Sequence, residues 1–151
     1  MIRFIYFITI ILLLTAIVGN ANVDKEITII DKLRSTDQEV WAQVGYDLAL
    51  MNDSDAVNLL LKALKDQNEY VRLHVIDFLD RYNDSRILPA LQERFLSDKE
   101  NIRIEAGKAI ASIDPKYGSN LFISQLQKSG DTIGKNISIQ LLSEMGDIRV
   151  I

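Results

Sequence analysis

A period of 31 residues runs through this chain, and it leaves few folds open. Val40, Val71, Ile102 and Ile133 stand one period apart, as do Val44, Val75, Ala106 and Ile137. Leu48, Leu79, Ile110 and Leu141 follow, so each copy carries apolar residues at i, i+4 and i+8. Met51, Tyr82 and Ile113 extend the series to i+11 in three copies. That spacing places the set on one stripe of a 3.6-residue helix. A second stripe follows in each copy: Leu60, Leu91 and Phe122, then Leu64, Phe95 and Leu126. Between the stripes lie Asn52-Asp53-Ser54, Asn83-Asp84-Ser85 and Asp114-Pro115. Their short polar side chains compete for the backbone and Pro cannot continue a helix, so these are turns. A helical pair repeated at a fixed period buries its apolar face only against its neighbours, which is the pattern of a stacked α-solenoid.

The second copy carries the motif V-R-x-x-V-x-x-x-L-x-x-x-x-D-x-x-x-L-x-x-L on Val71, Arg72, Val75, Leu79, Asp84, Leu88 and Leu91. It resembles a HEAT-like repeat, and within that group the short bacterial type also found in phycobilisome-lyase-related proteins. The third copy keeps Ile102-Arg103, Ala106 and Ala109-Ile110, with its turn Asp one place early at Asp114. The first copy has Trp41 at the Arg position and the fourth has Gly134, which puts an Arg-based contact between repeats in doubt at both ends. The resemblance implies an all-α, right-handed α-α superhelix, a HEAT-like solenoid of about three full repeats with half-repeats at the ends. It speaks for a fold and only weakly for a function, since one fold hosts many roles.

The periodicity predicts helices over 37–51, 55–65, 69–82, 86–96, 100–113, 117–128 and 132–145. Ile29 and Leu33 precede Leu60 and Leu64 by one period, so residues 24–34 match a second helix and open the repeat domain with half a unit. Asp24 and Glu26 suit the positive end of that helix dipole. Thr36 and Glu39 have the spacing of a capping box, Asp53-Ser54-Asp55 offers a second helix start, and Gly130 and Gly146 are expected stops. Asp147 to Ile151 read as the opening of one more second helix.

Residues 1–21 are of another composition. Arg3 precedes an almost unbroken apolar run from Phe4 to Gly19, and Gly19-Asn20-Ala21 supplies the small residues of a cleavage site. This reads as a signal peptide removed after Ala21, leaving 22–151 as an exported repeat domain, periplasmic or secreted. The competing expectation is an uncleaved membrane anchor, although the run falls short of the roughly 20 apolar residues a spanning helix uses. With no Cys, neither a lipid-modified leader nor a disulfide is open to this chain.

Chemistry is hard to assemble from these residues. His74 is the single histidine, and its period mates Gln43, Glu105 and Asn136 are polar, which predicts a solvent-facing helix position. One His and no Cys leave no nitrogen–sulfur metal cluster. Asp53, Asp84 and Asp114 recur as turn and capping residues, and no phosphate loop, catalytic triad or nucleophile elbow occurs. No catalytic residue, metal site or cofactor is therefore expected. A net charge of −4 argues against nucleic acid, which asks for a concentrated basic face.

The expected role is a non-catalytic protein–protein interaction or scaffold module. The alternatives are a membrane-tethered assembly factor and an accessory to a lyase-like enzyme. The resemblance implies that the second helices line the binding face. Their polar positions are Asn58, Lys62 and Lys65, then Gln92 and Glu93, then Asn120, Ser124 and Gln127. Trp41 is expected to pack against the N-terminal half-repeat, with a partner contact as the alternative.

Overall fold

The computed structural model describes residues 24–128 and 130–146. The expected leader and the expected helix start at 147–151 lie outside them. The described residues form eight helices and no strand. They are α1 (24–33), α2 (Gln38–Ala49), α3 (Asp53–Ala63), α4 (Glu69–Leu79), α5 (Ile87–Ser97), α6 (Glu100–Ile113), α7 (Pro115–Gln127) and α8 (Thr132–Glu144). Every predicted helix is present, with ends shifted by up to a few residues.

The shifts come from caps. Asn52, not Asp53, starts α3: its side chain accepts from Asp55 N at 3.0 Å while its amide donates to the Asp55 carboxylate at 2.6 Å. The two residues thus satisfy each other's free groups reciprocally. Before α2 the acceptor is Asp37, one place after Thr36, and it takes Glu39 N at 2.9 Å. Asp114 caps α7 through Tyr117 N at 2.9 Å and places Pro115 at the first helical position, where its missing N–H is no loss. Gly130 and Gly146 adopt φ of +97° and +68°, the left-handed conformation that lets the chain leave a helix.

The chain divides into two compact units, 1–47 and 48–151. In the first, Ile29, Leu33 and Val44 are buried. Lys32 pairs with Asp47 at 2.7 Å, tying α1 to α2. In the second unit, α4 packs on α6 and α6 on α8, forming one row of first helices. The second helices α3, α5 and α7 lie along that row, with α3 packed on α5 and with α6 wedged against α5 and α7. This layering is an α-solenoid: each helical pair buries its stripe against the next.

The stripes are where the period places them. Val75, Ala106, Leu79, Ile110, Leu60, Leu91 and Phe122 are all at 0% exposure, and the Phe95 and Phe122 rings meet at 5.2 Å. Burying each such aliphatic chain contributes roughly 1.5–3 kcal/mol. Some column members depart from the expectation, Met51, Tyr82 and Ile113 among them, which are only half-buried. Ile133 is 48% exposed and Val40 half-buried, while their period mates Val71 and Ile102 are fully covered. Leu126 is likewise only half-buried.

Candidate binding surface

Two surfaces of the second unit differ in charge. Between α3 and α5 lies a shallow trough of about 630 Å³. It is lined by the charged Lys62, Lys65, Arg86 and Glu93 and by the apolar Leu61, Pro89 and Ala90. Between α4 and α6, on the row of first helices, a depression of about 240 Å³ exposes Asp77, Asp80, Glu105 and Lys108. A neighbouring hollow of about 320 Å³ adds His74 and Asn101.

The residues expected to form a partner surface fall into three groups. Lys62, Lys65 and Glu93 are exposed and share the α3/α5 trough. Asn58 is exposed beside it and accepts from Arg86 Nη1 at 2.5 Å. Asn120, Ser124 and Gln127 are exposed on α7 and do not line that trough, and the Ser124 hydroxyl donates to Leu121 O at 2.7 Å. Gln92 departs from its expected exposure: it is half-buried and its side-chain oxygen accepts from the Tyr117 hydroxyl. The signal was there in the period, because the mates of Gln92 are Leu61 and Ile123, both apolar. By the same rule Pro89 shares its column with Asn58 and Asn120 and is exposed. Arg86, Leu61, Pro89 and Ala90 complete the trough without having been singled out from sequence.

Local pairs set much of this electrostatic surface. Arg86 grips Asp84 through Nε at 2.9 Å and Nη2 at 2.7 Å, which holds the Asp84 carboxyl at about 2. Glu93 is paired with Arg94. On the other row, desolvation and the nearby Glu105 charge push Asp77 above the ordinary carboxylate range. His74 departs from the expected solvent-facing position: it is half-buried, and desolvation lowers its pKa against the opposing pull of Asp77. Among the described residues no group of three or more His, Asp or Glu could hold a metal ion. No described helix is long and apolar enough to cross a membrane.

A second set of charges runs inside the stack. Arg72 binds Asp98 through Nε at 2.8 Å and Nη2 at 2.7 Å, and its Nη1 donates to the carbonyls of Asp66 and Gln67 at 2.7 and 3.0 Å. Arg103 repeats the arrangement one period on, reaching Asp131 at 2.5 and 3.2 Å and Phe95 O at 2.8 Å. Arg72 thus joins the loop before α4 to the loop before α6, and Arg103 joins the last turn of α5 to the loop before α8. Both are nearly buried, so the bidentate partner matters: an Arg fork matches a carboxylate in geometry as well as charge. A sequence comparison against protein families adds the decisive match, to HEAT repeats over residues 28–111. The chain belongs to the HEAT-repeat family. Among curated proteins a search found no match.

Within the HEAT repeats the Arg position explains both ends of the series. In the first repeat Trp41 donates from Nε1 to Ser35 O at 2.7 Å, the carbonyl one period before Asp66. An indole therefore makes one of the Arg contacts, and it makes it inside the N-terminal unit, to the residue that follows the half-repeat. In the last repeat Gly134 leaves room for Arg103. A Cβ on Gly134 would stand 2.2 Å from Arg103 Nη2 and 2.2 Å from Asp131 Oδ2. The Arg partners Asp98 and Asp131 were not foreseen, because they are 33 residues apart and so fall outside the period.

Proposed function

We propose that this HEAT-repeat protein is a non-catalytic binding module that engages a protein partner through the exposed face of its second helices, outside the cytoplasm. HEAT repeats are commonly scaffolds for protein interaction, and that general role carries over with the family. The observation that carries the finer reading is the α3/α5 trough, whose lining mixes apolar and charged side chains. That combination suits a partner segment whose apolar groups are desolvated while its polar groups stay at a wet rim. Export rests on the apolar run Phe4 to Gly19 and the small residues at Gly19-Asn20-Ala21.

Photo-crosslinking groups placed at Ala90 and at Ser112, on opposite rows, test the surface in an extract of the cell envelope. The reading expects one recurrent crosslinked protein from Ala90 and none from Ser112. Equal labelling from both positions would refute it. Mass spectrometry of the mature N-terminus tests export separately. A start at Asn22 is expected, and an intact leader would favour the tethered form.

A further inference from the structure

We infer that the α3/α5 trough receives an acidic segment of its protein partner, one in which carboxylates alternate with apolar side chains. This rests on the reading of that face as a binding surface and adds the chemistry of what it binds. The chain as a whole is acidic, with a net charge of −4, so a basic trough runs against the average of the molecule. Lys62, in the last turn of α3, and Lys65, in the turn that follows it, are both exposed and both line the trough. Arg86 adds a guanidinium at the mouth, with Asp84 offsetting its charge. The single acid among the lining residues, Glu93, is paired in turn with Arg94. Three cations and one acid thus line the trough, with Leu61, Pro89 and Ala90 as its apolar lining.

The opposite row has the reverse sign. Asp77, Asp80 and Glu105 surround the α4/α6 depression with Lys108 as its one cation. The Asp77 pKa is raised chiefly by desolvation and then by the Glu105 charge beside it. An acidic segment is thus drawn to one row and repelled by the other, which orients the encounter as well as strengthening it. Its carboxylates meet Lys62 and Lys65, and its apolar side chains cover Leu61, Pro89 and Ala90.

The test is fluorescence anisotropy of the purified full chain with two short labelled peptides, one alternating Glu and Leu, the other Lys and Leu. The Glu peptide is expected to bind and the Lys peptide not. Replacing both trough lysines (Lys62→Gln with Lys65→Gln) should weaken the Glu peptide by about tenfold, the loss of two rim ion pairs. Lys108→Gln, on the other row, should leave it unchanged, and circular dichroism checks that each variant stays helical. Equal binding of the two peptides, or equal losses from both sets of variants, would overturn the inference. So would lysine-dependent binding to vesicles that contain an anionic lipid, which would make the trough a membrane site. Lysine-dependent self-association in sedimentation would likewise overturn it in favour of a second copy. If the Glu peptide fails while crosslinks from Ala90 still recover a protein, the charge class is wrong and the binding face stands; if both fail, both fall.

Discussion

Replacing Gly134 with Ala sets two effects of opposite sign against each other. Alanine is the better helix former, and on an exposed helix the change would stabilise by up to about 1 kcal/mol. Here the new Cβ would meet Arg103 Nη2 and Asp131 Oδ2, each at 2.2 Å. Arg103 Nη2 ends a long flexible side chain and moves at little cost, but Asp131 Cγ would also stand at 2.8 Å, so the whole carboxylate must turn away. The loss lies in what those atoms are doing. Asp131 caps α8 through Gly134 N at 2.9 Å, and it accepts from Gln125 Nε2 at 2.8 Å and from the Arg103 fork. Losing the cap costs about 0.5–2 kcal/mol. Disturbing the pair costs more, since the Arg103 side chain is only 8% exposed, although Asp131 at 30% keeps some access to water and reduces the penalty. The net expectation is a destabilisation of about 1–3 kcal/mol after the helix-propensity gain. With a urea slope of about 1–3 kcal/mol per molar, the midpoint should fall by roughly 0.5–2 M. Repeating Gly134→Ala in an Asp131→Ala background should reverse the sign, because the cap and one of the two clashes are then gone. A Gly134→Ala midpoint equal to or above the parent would refute the packing of Arg103 against this helix start.

Leu79→Ala, at 0% exposure in the middle of the stack, should cost about 2–5 kcal/mol in urea unfolding, and an unchanged midpoint would remove Leu79 from the core. Asp131 is held at about 2, below its ordinary 3.8, chiefly by hydrogen bonds from Arg103. Its stabilising share is therefore complete above pH 3.8 and lost as pH falls toward 2, so Asp131→Asn should flatten the acid limb of a thermal-melting profile over that window. Asp77 has the opposite sign: its raised pKa means the charged form opposes folding, so Asp77→Asn should raise the midpoint at neutral pH and lose that advantage in acid. Trp41→Phe removes the donor to Ser35 O and keeps most of the ring, with an expected loss of about 0.5–1.5 kcal/mol by chemical denaturation.

Much of the architecture was legible before any coordinates. The apolar columns at Val75, Leu79, Leu91 and Phe122 are core because a residue repeated at helical spacing has one face to bury. The helix starts were misplaced by a residue at Asn52 and Asp37, since neighbouring Asn, Asp, Ser and Thr residues all offer an oxygen and only the local backbone selects one. The expected binding face was also placed on exposed positions, apart from Gln92, whose apolar period mates outweighed its polar side chain. The membership of the trough was less legible. Arg86 and Pro89 sit in the first residues around the start of α5, and their proximity to Lys62 depends on how α3 and α5 pack.

From its order of residues alone, this chain was committed to helical pairs in a 31-residue rhythm and to the HEAT-repeat family. Burial of a helical stripe is a one-dimensional property, and each repeat restates it. Folding in three dimensions decided the rest: Ile133 left exposed, Trp41 standing in for an Arg, and Asp98 and Asp131 recruited by Arg72 and Arg103. Those ion pairs join residues 26 and 28 positions apart, out of step with the repeat. Loop geometry and packing bring such groups together, and a period in the sequence carries no record of either.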